Sequence, residues 1–423
     1  MSGITLSHVE AYGGLFELYS KDRKFMQNMT SLLWANIAKA SDSEVNFDGN
    51  YWNLTVLNNV NESYKAVNAG ESTGIAMKQT EIFARYRPKL MYSRMELESI
   101  AAQKGYKGGR AAGKYSDDYV KNTFLSFLTN VSIDGYLSGN GYRATIATAT
   151  AAATSFTVDT SQYLRPSMRL NWYNSALSVL RGTVQIAAKG IDFLNKTVYL
   201  ESTTPVPVGA TADDVLLVED ALLNAPSDGK YLSGLNLACD NSSTLGTLSP
   251  SDWAMWQAIV QNANGGNPSQ EIFQTQFDLF QQISNELYDM MAIHPTQKKT
   301  YLFQYFNQRR FNTGTYDTGA SSLSFSPVVM GNASQQNKPK VTKVLEDKNC
   351  PVTDVFFWVY DSVKLSPYYT KEPSIAAEDG RDWYLDRDFD TLEGLMRYWA
   401  NIVYFMRNHV GKIGGFSLPS GTV

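Results

Sequence analysis

The segment Gly108-Gly-Arg-Ala-Ala-Gly113-Lys114 reproduces the first seven positions of a phosphate-binding loop. In such loops backbone N–H groups and a lysine cradle phosphates, and a Ser or Thr at the eighth position holds magnesium. Tyr115 stands at that eighth position, and the preceding Met95–Gln103 reads as helical where the motif needs a buried strand. Val355–Asp361 could supply an acidic strand, but a β-rich block lies between the two. A flexible basic loop, Lys104–Lys114, lying on a neighbour's acidic surface is the plainer reading. Asp386, Asp388 and Asp390 copy the first three ligand positions of a calcium loop. Thr391 replaces its glycine and Arg397 its closing glutamate, which leaves a solvated acidic turn.

Nothing else gathers into a reactive set. His8, His294 and His409 are far apart, and none sits beside a Cys or carboxylate at metal-ligand spacing. Cys239 and Cys350 form no metal or redox motif and suit a reducing compartment. No Gly-x-Ser-x-Gly, His-Glu-x-x-His or paired Cys-x-x-Cys occurs. No catalytic, cofactor-binding or metal residue is assigned, no cofactor is implied, and a non-enzyme is expected.

The elements are more telling. Residues 1–20 read as an arm, followed by a helical face over Ser20–Lys39 through Phe25, Met29, Leu32, Leu33 and Ile37. Over 45–90, short apolar runs (Leu54–Leu57, Ile75–Met77) between polar loops suggest a two-stranded excursion with little core of its own. The clearest helix has Ser116 as N-cap, Asp117 and Asp118 in its first turn, and Val120, Phe124, Phe127 and Val131 on one face. It ends near Gly135–Gly139, and about 20 residues make a rod of about 30 Å. Residues 145–220 alternate Thr, Val and Ala between Pro and Gly turns, the pattern of a small inserted β-domain. Helices are expected at Pro250–Asn262 (capped by Ser249), Gln270–Met291 and Pro295–Phe311, and strands at Leu323–Met330, Val341–Leu345 and Val355–Tyr360. The tail, Thr391–Phe416, fits a helix by one residue set and a strand by another. The aromatic clusters Trp253/Trp256, Phe356/Phe357/Trp358 and Trp399/Tyr404/Phe405 read as core, with subunit contacts as the alternative.

Composition narrows the class. The 423 residues carry 37 Lys+Arg against 41 Asp+Glu, a net charge of −4, which argues against a dedicated nucleic-acid binder. Only 18% are charged and 13% are aromatic, the balance of large surfaces that meet other protein. No secretory signal and no run of 18 apolar residues is present, so a soluble protein made inside a cell is expected.

The order of the pieces resembles the major capsid proteins of tailed bacteriophages, with their Hong Kong 97-type fold. Phe83–Ser99 resembles the return strand of that family's E-loop. Asp118–Gly141, ending Asp134-Gly-Tyr-Leu-Ser-Gly-Asn-Gly141, resembles its spine helix and following turn. Val158–Asp220 resembles the β-insertion many such coats carry, and Thr391–Gly414 the C-terminal peripheral strands. The resemblance spans roughly residues 20 to 416 and favours the strand reading of the tail. It implies an α+β fold divided into an N-arm (1–44), an E-loop (45–92), a peripheral domain with the spine helix (93–145), a β-rich insertion (146–222), an axial domain (223–380) and C-terminal peripheral strands (381–423).

The implied function is mechanical: hexamers and pentamers of an icosahedral head around double-stranded DNA, assembled in the host bacterial cytoplasm, with no sequence-specific DNA binding. A strongly basic inner wall would hold phosphates and oppose packaging, and this chain is mildly acidic. Charged contacts to neighbours are expected at Arg85, Arg87, Lys89, Lys104, Lys107 and Arg110; a solvated rim is their alternative. No scaffolding segment fits before the arm, so a separate scaffolding protein is expected, with a portal and decoration proteins as further partners. Lys65 and Lys78 lie in the E-loop region, but nothing marks a crosslinking partner. The alternatives are an encapsulin-like nanocompartment shell, against which the β-insertion counts, a P-loop nucleotide hydrolase, and a non-capsid virion or fibre protein.

Overall fold

The structure is a computed structural model that describes residues 32–41, 44–59, 80–98, 110–222, 229–284, 286–304, 343–367, 374–375, 384–386 and 391–418. A short helix, α1 (Leu32–Asn36), leads to β1 (Ala38–Lys39). Then β2 (Asn46–Phe47), β3 (Trp52–Asn59) and β4 (Thr80–Tyr86) form a three-stranded antiparallel sheet. Period-two alternation divides its faces. Trp52, Leu54, Ile82, Ala84 and Tyr86 are buried, while Thr55, Glu81, Phe83 and Arg85 face out. The β2–β3 turn is built by Asp48, whose carboxylate accepts from Asn50 N, Tyr51 N and Asn53 Nδ2 at 2.7–2.9 Å.

β5 (Lys89–Glu98) precedes the long helix α2 (Arg110–Tyr136), whose 27 residues span about 40 Å. Six strands then close into a barrel: β6 (Tyr142–Thr148), β7 (Ser155–Val158), β8 (Arg169–Tyr173), β9 (Leu180–Asp192), β10 (Thr197–Leu200) and β11 (Val215–Val218), in the order β10-β7-β6-β11-β8-β9. Ile146, Phe156, Leu170, Trp172, Val184, Ile186, Val198 and Leu216 fill it. Side chains, not a cavity, occupy a barrel this narrow.

After α3 (Leu235–Ala238) come β12 (Ile259–Asn262), α4 (Gln270–Ser284), β13 (Met290–Ile293), α5 (Pro295–Gln304), β14 (Lys343–Glu346) and β15 (Val355–Trp358). A 3₁₀ turn (Tyr360–Ser362) leads into β16 (Val363–Pro367), then β17 (Ser374–Ile375), β18 (Tyr384–Asp386) and β19 (Thr391–Tyr404). A second 3₁₀ turn (Arg407–His409) gives β20 (Val410–Gly414). β12-β20-β15-β13-β14 form a five-stranded sheet; β1-β16-β19-β17, with β5 and β18 also on β19, form a six-stranded one. One core joins the inner faces of the hairpin, α2 and both sheets; a second lies between α4, α5 and the five-stranded sheet.

Several expectations are corrected. The excursion at 45–90 has three strands, and its inner face joins the main core. Met95–Glu98 is strand, because it pairs residue for residue with Thr391–Gly394. α2 begins at Arg110, so Ser116, Asp117 and Asp118 are interior; the helix formers Ala111, Ala112 and Lys114 outweigh Gly113. Pro250–Asn262 is not a helix: Trp256 Nε1 anchors on Leu245 O at 3.1 Å, and Ile259–Asn262 pairs parallel with β20. The Gln270–Met291 helix stops at Ser284, whose hydroxyl turns back to Phe280 O at 2.8 Å and receives Glu286 N. Met290–Ile293 is instead a fully buried strand between β14 and β15. The tail is strand: β19 has partners along both edges. Of the first helix only Leu32–Asn36 is described; Leu323–Met330 lies outside the described residues.

Candidate assembly surfaces

The hairpin and β5 put apolar groups into solvent in a regular way. On β4 the outward side chains are Glu81, Phe83 and Arg85, with Phe83 51% exposed. On β5, Lys89 and Met91 point inward while Leu90, Tyr92 and Arg94 point outward, Tyr92 at 68% exposure. Register places Leu90 opposite Trp399, Tyr92 opposite Arg397 and Arg94 opposite Leu395. The outer face of the six-stranded sheet is therefore a strip of aliphatic, aromatic and guanidinium groups. Tyr, Trp and Arg are the types enriched where protein meets protein.

The residues expected to contact neighbours separate on inspection. Arg85 lies on the outer hairpin face, its backbone N held by Gly246 O at 2.7 Å. Arg87 is exposed and clamps Tyr51, with Nε 2.9 Å from the hydroxyl and the guanidinium 5.0 Å from the ring centre. Lys89 is only 3% exposed and donates Nζ to Gly229 O at 2.6 Å, so it works inside its own chain. Gly229 sits there at φ +76° with Gly139 O where a Cβ would be, so only glycine fits. Arg110 is the first residue of α2, and Lys104 and Lys107 lie outside the described residues.

Buried polar joints fix these surfaces relative to one another. Asp134, near the end of α2, pairs with Arg143 of β6 at 2.9 Å, both almost fully buried. Burial raises the Asp134 pKa and Arg143 opposes that rise. The turn after β14 is a hub: Asp347 accepts from the Tyr136 hydroxyl at 3.1 Å and from Asn349 N, while Gln162 and Tyr163 from the barrel reach the carbonyls of residues 348–350. Arg407, fully buried, donates to the carbonyls of Ala238, Ser243 and Asp240. Each joint locks the barrel, or a loop, onto the core by satisfying groups that would otherwise be buried unpaired.

The barrel carries its own exposed apolar groups. In the β9–β10 turn, Asp192 holds Leu194 N, Asn195 N and Asn195 Nδ2, leaving Phe193 at 45% and Leu194 at 90% exposure. Val208, on the β10–β11 loop, is 87% exposed.

The candidates for chemistry do not assemble. Arg110–Lys114 is helical, so it cannot wrap its N–H groups around phosphates as a loop does. Asp386 ends β18; Asp388, Asp390 and His8 lie outside the described residues. Among the described residues no three His, Cys, Asp or Glu could hold a metal, and no helix is long and apolar enough to cross a membrane. Burial pushes the Cys239 thiol up to about 12 and the Cys350 thiol well above its ordinary value, so both are inert. Ser362, His409 and Glu286 look like a relay but are not one. Ser362 Oγ, at 2.8 Å, and Glu286 Oε2, at 3.6 Å, both meet the same ring nitrogen, Nδ1, whereas a relay uses opposite nitrogens.

No family model and no curated protein sequence matches the chain. Solved structures do. The fold is that of phage capsid proteins. The structure recorded as the cyanophage A-1(L) capsid asymmetric unit matches at a TM-score of 0.52 with 9% identity, over 92% of this chain and 93% of that one. The capsid of Myoviridae phage XM1 (TM-score 0.44, 9% identity, 92% of each chain) and that of an empty GTA particle (TM-score 0.44, 6% identity, 92% and 90%) are weaker likenesses.

Sequence reading missed Arg407, Asp134–Arg143 and the apolar turn at Phe193–Leu194. Arg407 had one available signal: a lone arginine soon after the strand residues Ile402–Tyr404 has to find acceptors if it is buried.

Proposed function

We propose that this chain is a major capsid protein that assembles as hexamers and pentamers into an icosahedral, DNA-filled phage head. The correspondence with the cyanophage capsid over nine-tenths of both chains carries the reading. The layout of the surface supports it. Phe83 on the hairpin and Leu90 and Tyr92 on β5 are apolar and aromatic groups that a single chain leaves in water. In a shell, each would be covered by a neighbouring copy. Arg85, Arg87, Lys104, Lys107 and Arg110 are the charged contacts proposed at those boundaries; Lys89 is withdrawn because it is used internally. Individual contacts are weak, and closure multiplies them, as linkage does in any multivalent assembly. A separate scaffolding protein, a portal and decoration proteins complete the proposal, with assembly in the bacterial cytoplasm. A nucleotide hydrolase has lost its geometry with Arg110–Lys114 in a helix.

The test is negative-stain electron microscopy of the protein expressed in bacteria, alone and with a candidate scaffolding protein. Closed shells or five- and six-membered rings are expected. A chain that stays monomeric with every candidate partner present overturns the reading.

A further inference from the structure

The five-stranded sheet ends differently on its two sides. At one edge β14 carries Lys343 and Glu346, and α1 approaches it, with Lys343 Nζ bonded to the Asn36 side chain. Charges and a covering element are the usual guards of a sheet edge. The other edge is β12, Ile259-Val-Gln-Asn262, which has no charge and no Pro, and its register against β20 runs without a bulge. Residues 253–270 contain no Asp, Glu, Lys, Arg or His, in a chain that is 18% charged.

The main chain of β12 shows which groups are left over. Ala263 N, one step beyond the strand, donates to Gly414 O at 2.8 Å. Main-chain direction alternates along a strand, so Ile259 and Gln261 bond β20 as Ala263 does. Ala258, Val260 and Asn262 turn their N–H and C=O the other way. Ala258 bears out the parity. Its N and O are both held, at 2.9 Å each, by the side-chain amide of Asn241, which stands where a partner strand's peptide group would. Val260 and Asn262 have no such partner among the described residues. Beyond them Asn264 at φ +50° and Gly265 at φ +75° turn the chain away. The edge is therefore open over two outward-facing residues, between a carboxamide cap and a turn, with the Val260 side chain exposed.

We infer that an extended segment of a second copy of this chain adds to β12 and takes the open N–H and C=O groups of Val260 and Asn262. Strand addition draws its affinity from main-chain bonds and needs no matching charge, which suits an edge that carries none. The choice of a second copy rests on the shell reading. Copies packed side by side are the first strands an unguarded edge meets, and an edge left uncovered among them would pair at random. An edge that receives a different part of its neighbour makes a heterologous contact, the type that closes rings.

The experiment is amide hydrogen exchange of the full-length chain, read residue by residue by mass spectrometry, in the unassembled protein and in purified particles. In the unassembled protein the Gln261 amide should exchange slowly and those of Val260 and Asn262 fast. In particles the latter two should slow by about tenfold or more while Gln261 changes little. A benzophenone attached at Val260→Cys should join heavy to light chains in particles assembled from an isotopic mixture; both native cysteines are buried. Val260→Pro removes only an outward N–H, which an edge strand tolerates. It should leave the unassembled chain folded and abolish particles, whereas Val260→Ala should assemble. Particles in which Val260 and Asn262 exchange as fast as in the free chain overturn the inference and leave the shell reading standing. Protection that vanishes when the scaffolding protein is removed, or crosslinks confined to one chain, gives the edge another occupant and overturns it as well. A chain that forms no particles overturns both readings. If Val260→Pro fails to fold, exchange in the unaltered chain decides.

Discussion

The guanidinium of Arg407 closes the end of α3 by donating Nε to Ala238 O at 2.8 Å. Its other nitrogens reach Ser243 O at 3.0 Å and Asp240 O. The contact ties the break between β19 and β20 to the loop beneath the hairpin, where Gly246 O receives Arg85 N. Burial lowers the Arg407 pKa, but not enough to neutralise a guanidinium. Arg407→Met should therefore strand several carbonyls and cost at least about 3 kcal/mol, at 1–3 kcal/mol per unsatisfied group. Arg407→Lys should recover only part, because an ammonium cannot span the same fork. Urea unfolding midpoints measure both, and a loss below about 1 kcal/mol in Arg407→Met would contradict the assignment.

Asp134 and Arg143 join the end of α2 to the barrel as a buried pair at 2.9 Å. Arg143→Met leaves a buried carboxylate without its cation and should cost about 3–5 kcal/mol at pH 7. The sign with pH follows from the raised Asp134 pKa. A carboxyl that is harder to ionise folded than unfolded contributes stability at low pH that is lost as pH rises. The variant should accordingly regain stability between pH 7 and pH 5. The double variant Asp134→Leu/Arg143→Met should lie closer to wild type than the single one. Chemical denaturation at the two pH values decides it.

The sequence exposes what is periodic and hides what is set by distant partners. Val355–Trp358, the β-rich block and the face Phe124, Phe127, Val131 were legible because alternation or helical spacing runs unbroken there. Ile259–Asn262 and Met290–Ile293 were not: each is a short apolar run that suits a helix locally and becomes strand only through partners far along the chain, β20 for one and β15 for the other. The charged contact candidates show the same limit. Arg85 and Lys89 look alike in sequence and have the same parity, yet the break at Arg87–Pro88 between β4 and β5 reverses the alternation, turning one to solvent and the other to Gly229.

His294 illustrates a cap that acid can remove. It precedes α5, and its Nδ1 accepts from Thr296 N at 3.2 Å, so the ring acts as an N-cap. Burial pushes its pKa down to about 4. The folded state thus binds a proton less readily than the unfolded state, and stability is lost as pH falls from about 6.5 towards 4. The ring is partly solvated, so the loss at this site should be on the order of 1–2 kcal/mol, less than the shift alone implies. His294→Asn keeps a capping acceptor without the titration and should flatten that limb of the stability–pH curve. A curve of unchanged slope would assign the acid sensitivity elsewhere.

Phe83 and Lys89 lie close in sequence and should separate assembly from folding. Phe83 is half exposed on a face where its cross-strand partner is Thr55, so replacing it by Asp removes little that the isolated chain uses. Surface changes of this kind usually stay within about 0.5 kcal/mol, and the melting temperature of the unassembled chain should hardly move. In a shell the same position would meet a neighbouring copy, and a carboxylate buried there would have Thr55, not a cation, directly opposite it. Unpaired charge at an interface core is costly, so Phe83→Asp should yield folded protein that forms no closed particles. Lys89→Met should do the reverse. It leaves Gly229 O without its donor, costs about 1–3 kcal/mol in the single chain, and leaves particles able to form at low temperature. Thermal melts of unassembled protein, paired with particle counts by negative stain, read the two effects separately. Normal shells from Phe83→Asp would remove the outer hairpin face from the assembly surface.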